Sequence, residues 1–132
     1  MRHILIVIAV MMLLLVSCGG DNGPSREDIA AKAAKAYYDS LLSGGYAYFS
    51  AGCVGTDSLP PHYREQLLVN AKQYILELKK LHQGINEVKI VTAKTDSVTK
   101  VTNVFLTLCF SDSINEEIVV PMLKENGVWK MK

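Results

Sequence analysis

Met122-Leu123-Lys124-Glu125-Asn126-Gly127-Val128-Trp129-Lys130-Met131 is the stretch that decides the fold. Asn-Gly favours positive φ at both central positions of a two-residue type I′ hairpin. A turn at Asn126-Gly127 sets three cross-strand pairs: Glu125 with Val128, Lys124 with Trp129, and Met122 with Met131. In that register Trp129 and Met131 join the face of Val120 and Met122, so turn chemistry and hydrophobic pattern agree on one buried face.

The residues before this hairpin alternate with the period of two that is typical of strands. A first strand begins at Ile85 and ends at the turn Thr95-Asp96-Ser97. A long second strand is expected from Val98 to Phe110, and a third from Ile114 to Lys124. Pro121 cannot donate to a ladder yet lies inside this third strand, so we expect a bulge or bend there.

Two helices are predicted ahead of the strands. The first begins at Ser25, which can cap it with Asp28 three residues on, and ends at Gly44-Gly45. Its apolar face is expected to repeat every four residues, at Ile29, Ala33, Tyr37 and Leu41.

The second helix begins at Pro60-Pro61 and ends at Gly84. It carries the longest amphipathic stripe in the chain, made of Tyr63, Leu67, Ala71, Tyr74, Leu78 and Leu81. Such a stripe normally packs in a core, and here we expect it to cover the sheet. A partner-binding helix is the alternative.

The order of elements predicts an α+β domain over residues 25–132, in which two N-terminal helices pack on a bent four-stranded antiparallel meander. The chain has 132 residues, which is enough for one domain and not for two.

The N-terminal residues predict where the protein is located in the cell. Ile4 to Val16 is an unbroken apolar run of 13 residues, too short for the roughly 20 that span a membrane but typical of a secretory signal. Leu15-Val16-Ser17-Cys18 resembles the bacterial lipobox, which implies that residues 1–17 are a signal peptide cleaved between Ser17 and Cys18. The alternative is an ordinary signal peptide with an incidental cysteine.

The same resemblance implies a covalent lipid on Cys18, whose several acyl chains would hold the protein stably to membrane lipid. Residues 18–24 then form the lipidated cysteine and a flexible tether. Gly19 follows the cysteine where an aspartate would signal retention, so the outer membrane of a Gram-negative bacterium is the expected location.

Charge and composition argue against several function classes. Without residues 1–17 the chain has 115 residues with 13 basic and 13 acidic side chains, so no basic excess recruits nucleic acid. His62 and His82 lie 20 residues apart in the second helix, or roughly 30 Å, and cannot share a metal within one chain. No Cys/His cluster has zinc spacing and no glycine-rich phosphate loop occurs, so no metal, cofactor or catalytic set is predicted.

Two features remain as candidate sites. Tyr46, Tyr48 and Phe49, together with Tyr63, form a candidate binding surface, unless their rings only cap the core. Cys53 and Cys109 could form a disulfide outside the cytoplasm, unless Cys109 is simply a small buried hydrophobe.

Several stretches together resemble a known family: Gly45-Tyr46, Tyr63-Arg64-Glu65-Gln66-Leu67, Asn115 to Met122, and Asn126-Gly127 followed by Trp129-Lys130. They are similar to small bacterial lipoproteins that carry a domain of unknown function with a cystatin-like fold, in the nuclear-transport-factor-two-like superfamily. The resemblance covers about Pro24 to Lys132 and implies a cone with a pocket between sheet and helices. It implies no activity.

Three function hypotheses follow. The first is a non-catalytic, membrane-anchored module that binds a small ligand, a peptide or an envelope protein. The second is an enzyme of the ketosteroid-isomerase-like type, which would need an inward-facing carboxylate; Glu87, Glu116 and Glu117 sit near strand ends, where exposure is expected. The third is a structural homodimer through the outer sheet face at Phe105, Val119 and Leu123.

Overall fold

The structure, a computed structural model, describes residues 23–132. The signal peptide predicted for residues 1–17, the predicted cleavage site at Ser17 and the predicted lipidation site at Cys18 lie outside the described residues, as does most of the predicted tether. Among residues 23–132, none of the helices is long and apolar enough to cross a membrane.

The element order is that of an α+β fold. The helices are α1 (Arg26–Leu42), α2 (Tyr46–Ala51) and α3 (Pro61–His82), with one 3₁₀ turn at Thr56–Ser58 before α3. The strands are β1 (Ile85–Thr95), β2 (Thr102–Phe110), β3 (Asn115–Glu125) and β4 (Val128–Met131). They form one antiparallel sheet in the order β1-β2-β3-β4, so the predicted four-stranded meander is confirmed.

The hairpin at Asn126-Gly127 has the predicted geometry. Its φ angles are 52° at Asn126 and 80° at Gly127. Met122 pairs with Met131, and Lys124 with Trp129, in the predicted register. Trp129 and Met131 are buried with Val120 and Met122 on one face of the sheet, which we call the inner face.

Helix α1 is the layer that covers the inner face, and it packs against all four strands. The Ser25 hydroxyl accepts a hydrogen bond from the Asp28 amide, as the capping pattern predicts. The predicted stripe is right at Tyr37 and Leu41, which are buried, and wrong at its first member, Ile29, which is exposed. The buried side is instead centred on Ala30 and Ala34, both completely buried. These small side chains let the helix backbone lie close to the sheet.

Helix α3 packs against the core of the sheet through Leu78, Tyr74 and Ile75, but it covers less of the sheet than its stripe predicts. Only Ala71 and Leu78 of its stripe are buried, while Tyr63 and Leu81 are exposed. The helix packs mainly against α2 and reaches the sheet near β1 and, through His82, at the end of β2. Because α1 already occupies the inner face, α3 forms a second and more open layer beside it.

Two strand details also differ from expectation. Residues 96–101 form a turn rather than the start of β2, because the Asp96 carboxylate accepts hydrogen bonds from the amides of Val98 and Thr99. The bulge predicted at Pro121 is absent, and β2 and β3 pair without interruption. The Pro121 carbonyl accepts a hydrogen bond from the Lys132 amide, so the backbone nitrogen and carbonyl of Pro121 both point toward β4. The missing N–H of the proline therefore leaves no carbonyl of β2 without its donor.

Candidate functional site

Residues 52–55, between α2 and the 3₁₀ turn, attach α2 to the edge of the sheet. The Val54 amide donates to the Met131 carbonyl at 2.7 Å, and the Met131 amide donates to the Gly52 carbonyl at 2.6 Å. This segment therefore extends the sheet past β4 and fixes α2 above the end of α1.

Tyr37 ties α1 to the same edge. Its hydroxyl donates to the Trp129 carbonyl at 2.6 Å, and its ring lies directly against Gly52. A Cβ at Gly52 would come closer than 3 Å to three atoms of that ring, so only glycine fits there. Since Tyr37 is locked toward the sheet edge, the next residue, Tyr38, projects about 100° further round the helix, toward α3.

A crevice of about 240 Å³ opens between α1, α2 and α3. Its lining is mostly apolar and includes two phenols and one thiol. The lining residues are Tyr38, Phe49, Ser50, Cys53, Leu67, Asn70, Ala71 and Tyr74. None of these eight side chains carries a charge at neutral pH.

Burial raises the pKa values of the two phenols and the thiol that line the crevice. It raises the pKa of Tyr38 to about 12, with smaller contributions from neighbouring Tyr74 and Cys53. Burial also raises the pKa of Tyr74, and Glu116 adds to the rise. The Cys53 thiol has a raised pKa for the same reason, although Lys130 opposes the shift. The crevice therefore presents O–H and S–H groups and no anion.

The hydroxyl groups of Tyr38 and Tyr74 differ from that of Tyr37 in their hydrogen bonding. Tyr37 uses its hydroxyl in the fold. Within residues 23–132, the hydroxyls of Tyr38 and Tyr74 have no such partner, and no unpaired polar side-chain atom is fully buried there. Tyr38 packs edge-on against Phe49 at 5.3 Å between ring centroids, which holds its ring in place.

One carboxylate lies on the same side of the sheet as the helices. Glu116 pairs with Leu108, whose side chain is completely buried on the inner face, so Glu116 shares that face. It acts on the pKa of Tyr74. It remains solvent-exposed, as expected from its place near a strand end.

The four predicted surface residues do not gather into one surface. Phe49 lines the crevice, whereas Tyr48 is exposed and packs at a tilt against Tyr37, with 5.0 Å between the ring centroids. Tyr46 lies by Lys72 over a different depression, and Tyr63 is exposed near the start of α3 beside His62. The crevice is instead lined by Tyr38 and Tyr74. The sequence offered a signal for Tyr74 alone, because it is an aromatic residue within the apolar stripe of α3.

The structure does not bring Cys53 and Cys109 together, and both thiols are free. Cys53 pairs with Met131 across the sheet edge. Met131 pairs with Met122, and Met122 pairs with Thr102, so Cys53 lies level with the end of β2 at which Thr102 stands. Cys109 lies seven residues further along β2, so the strand runs roughly 23 Å from Thr102 to Cys109. A disulfide needs Cα atoms within about 7 Å, so this geometry gives the proposed bond no support.

The remaining residues considered from sequence lie apart from the crevice. His82 pairs with Asp112 at 2.9 Å and stacks on Phe110 at the far end of α3. Residues 23–132 hold no group of three or more His, Cys, Asp or Glu placed to bind a metal. On the outer sheet face Val119 is exposed, while Phe105 and Leu123 are half-buried.

Comparison with known proteins identifies the fold. No family model matches the sequence, and no curated protein matches it. A solved structure does: a Campylobacter jejuni protein, provisionally assigned as an NTF2-like transpeptidase, superposes with a TM-score of 0.57. The match covers 74% of this chain and 92% of that one at 13% sequence identity.

The fold is NTF2-like. The helices on a four-stranded antiparallel sheet match that architecture, so the α+β class and the nuclear-transport-factor-two-like cone expected from sequence are confirmed. At 13% identity the likeness concerns the fold alone, and the activity named for the Campylobacter protein remains a statement about that protein.

Proposed function

We propose that this protein is a non-catalytic, lipid-anchored module of the cell envelope that binds a small apolar molecule between its three helices. The observation that carries the binding role is the uncharged crevice lined by Tyr38, Phe49, Leu67, Ala71 and Tyr74. Apolar concave sites with a few convergent polar groups are where proteins commonly hold small ligands. The lipobox at Leu15-Val16-Ser17-Cys18 supports the anchor and the outer-membrane location.

The binding site is tested by titrating the domain of residues 25–132 with toluene. Toluene should shift the backbone amide resonances around Ser50 and Ala71. Leu67→Trp puts a large ring into the crevice and should abolish those shifts. Leu81→Trp is the matched control, because Leu81 is 70% exposed on the same helix and away from the crevice. No toluene-induced shift at these amides in the wild-type domain would refute the site.

The anchor is tested separately with the full chain in a Gram-negative host fed an alkyne-labelled palmitate. The protein should take up the label and sediment with outer membranes. Cys18→Ala should remove both, whereas Cys53→Ala and Cys109→Ala should keep both. Labelling that survives Cys18→Ala would overturn the anchor without bearing on the crevice.

A second candidate function is an enzyme of the ketosteroid-isomerase-like type, and the placement of Glu116 on the inner face near Tyr74 favours it. A carboxylate base beside a phenol donor can move a proton from the carbon next to a carbonyl group. The test is deuterium exchange into the methyl group of acetophenone. Exchange faster than the buffer rate that is lost in Glu116→Gln would support the enzyme; exchange at the buffer rate would exclude this reaction.

The acyl transfer suggested by the assignment of the Campylobacter protein finds less support. A nucleophilic cysteine needs a lowered pKa and a nearby base. Burial raises the pKa of Cys53, and neither His62 nor His82 lines the crevice. Slow alkylation of Cys53 by iodoacetamide at pH 7 is therefore expected.

A further inference from the structure

We infer that the crevice between the helices selects a neutral molecule of about one aromatic ring that carries a carbonyl group, and that the hydroxyls of Tyr38 and Tyr74 bind its oxygen. The inference rests on the proposed binding role of this crevice and adds the chemical class of its ligand.

Size limits the ligand first. The crevice has a volume of about 240 Å³. An engineered cavity of about 150 Å³ already holds benzene, and drug-sized molecules occupy roughly 300–1,000 Å³. A single ring with a short substituent fits between these limits.

Charge limits it next. None of the residues lining the crevice is ionised at neutral pH, and Phe49, Leu67 and Ala71 make much of the wall apolar. Burying a carboxylate or an ammonium group there would leave the charge without a partner, which is costly. A ligand with a full charge is therefore excluded in favour of a neutral one of the same shape.

Hydrogen bonding then favours a carbonyl acceptor. Tyr38 projects from α1 and Tyr74 from α3, so the two phenols line different walls of the crevice. Both border the same crevice of about 240 Å³, so one bound molecule can contact the two of them. Both stay protonated and therefore able to donate, and the fold uses neither hydroxyl within residues 23–132. A carbonyl oxygen has two lone pairs and can accept from both.

Three probes of nearly equal shape separate these properties: acetophenone, ethylbenzene and benzoate. They share a phenyl ring and differ in carrying a carbonyl, an alkyl group or a carboxylate. Dissociation constants come from amide chemical shifts of the domain of residues 25–132. We expect acetophenone to bind about tenfold more tightly than ethylbenzene, since two neutral hydrogen bonds contribute together about that factor. Benzoate should not bind at the same concentrations.

The phenols are tested by Tyr38→Phe and Tyr74→Phe. Each should weaken acetophenone binding by about threefold and leave ethylbenzene binding unchanged, because each removes only one donor. Tyr48→Phe is the control: its ring is 53% exposed and does not line the crevice. A far-ultraviolet circular dichroism spectrum identical to that of the wild type confirms that each variant is folded.

The outcomes distinguish this inference from the proposed site. Equal binding of acetophenone and ethylbenzene, or full acetophenone affinity in both phenylalanine variants, would overturn the carbonyl contact while toluene binding still supported the crevice. Tighter binding of benzoate would overturn neutrality. If neither toluene nor any of the three probes shifts the amides near Ser50 and Ala71, the site itself fails.

Discussion

The two helical layers on this sheet are built differently. The layer formed by α1 packs small side chains on the sheet, and Ala30, Ala34, Val104, Leu106 and Leu108 have no exposed surface. The layer formed by α2 and α3 leaves a crevice open and keeps several large apolar side chains in solvent, among them Tyr63, Leu76 and Leu81.

This difference separates the layer that supplies most of the stability from the layer that holds the proposed binding site. Burial of apolar surface is the dominant favourable term in folding, so α1 and the sheet supply most of the free energy of unfolding. The helices α2 and α3 contribute less of it, so their facing side chains can differ without loss of the fold. A site between those helices therefore has freedom to take a ligand that the compact layer could not admit.

The sharpest test of this separation is Leu106→Ala. Leu106 is completely buried beneath α1, and we expect the substitution to reduce the free energy of unfolding by about 2–5 kcal/mol, measured by urea denaturation. Leu81→Ala on α3 is the matched control, because 70% of that side chain is exposed and its loss should change stability by less than about 0.5 kcal/mol. Similar losses in the two variants would show that the layers are equally important.

Gly52→Ala tests the contact that joins the two layers. The added methyl group would collide with the ring of Tyr37, which is held by its hydrogen bond to Trp129. We expect a loss of about 1–3 kcal/mol in urea denaturation, the usual cost of overpacking. Gly23→Ala serves as the control, since nothing lies within 4 Å of a Cβ there. A neutral Gly52→Ala would mean that the segment after α2 moves freely away from α1.

The compact layer was largely predictable from sequence and the open layer was not. Asn126-Gly127 specifies its own turn, and that turn fixes which side chains of β3 and β4 face inward. The stripe of α3 was equally clear as a pattern. Periodicity identifies the apolar face of a helix, however, and does not say whether another element covers it, so the exposure of Leu81 came only from the structure.

The crevice escaped prediction for a related reason. Tyr37 and Tyr38 are neighbours in sequence with identical side chains, yet one bonds to Trp129 and the other faces α3. Their different roles depend on where β4 and α3 lie, which no local pattern encodes. Pro121 shows the same limit, because the sequence does not reveal which neighbouring strand its backbone faces.

The two tyrosines give a test of intermediate size. Tyr37→Phe removes a buried hydrogen bond and leaves the Trp129 carbonyl without its donor, so we expect a loss of about 1–2 kcal/mol in urea denaturation. Tyr38→Phe should change stability by less than about 0.5 kcal/mol, because its hydroxyl has no hydrogen-bond partner among residues 23–132. If Tyr38→Phe were the more damaging variant, its hydroxyl would serve the fold and not a ligand.

The smallest expected effect concerns the far end of α3, where acid should loosen the attachment of the helix to the turn after β2. Burial by itself would raise the pKa of Asp112, but the hydrogen bonds from His82 and from the Ile114 amide outweigh it and lower that pKa. A carboxylate whose pKa is lower in the folded state stabilises the protein above its unfolded pKa and loses this contribution as pH falls through the folded value.

Wild-type protein should therefore lose more stability below about pH 4 than Asp112→Asn, which keeps an acceptor for the Ile114 amide but cannot titrate. The measurement is the urea midpoint at pH 7 and at pH 2.5 for both proteins. Glu27 has a pKa lowered mainly by its hydrogen bond from Thr95 and titrates in the same direction, but it is present in both proteins and cancels in the difference. Equal losses in the two would show that α3 is held at this end by the stacking of His82 on Phe110 rather than by charge.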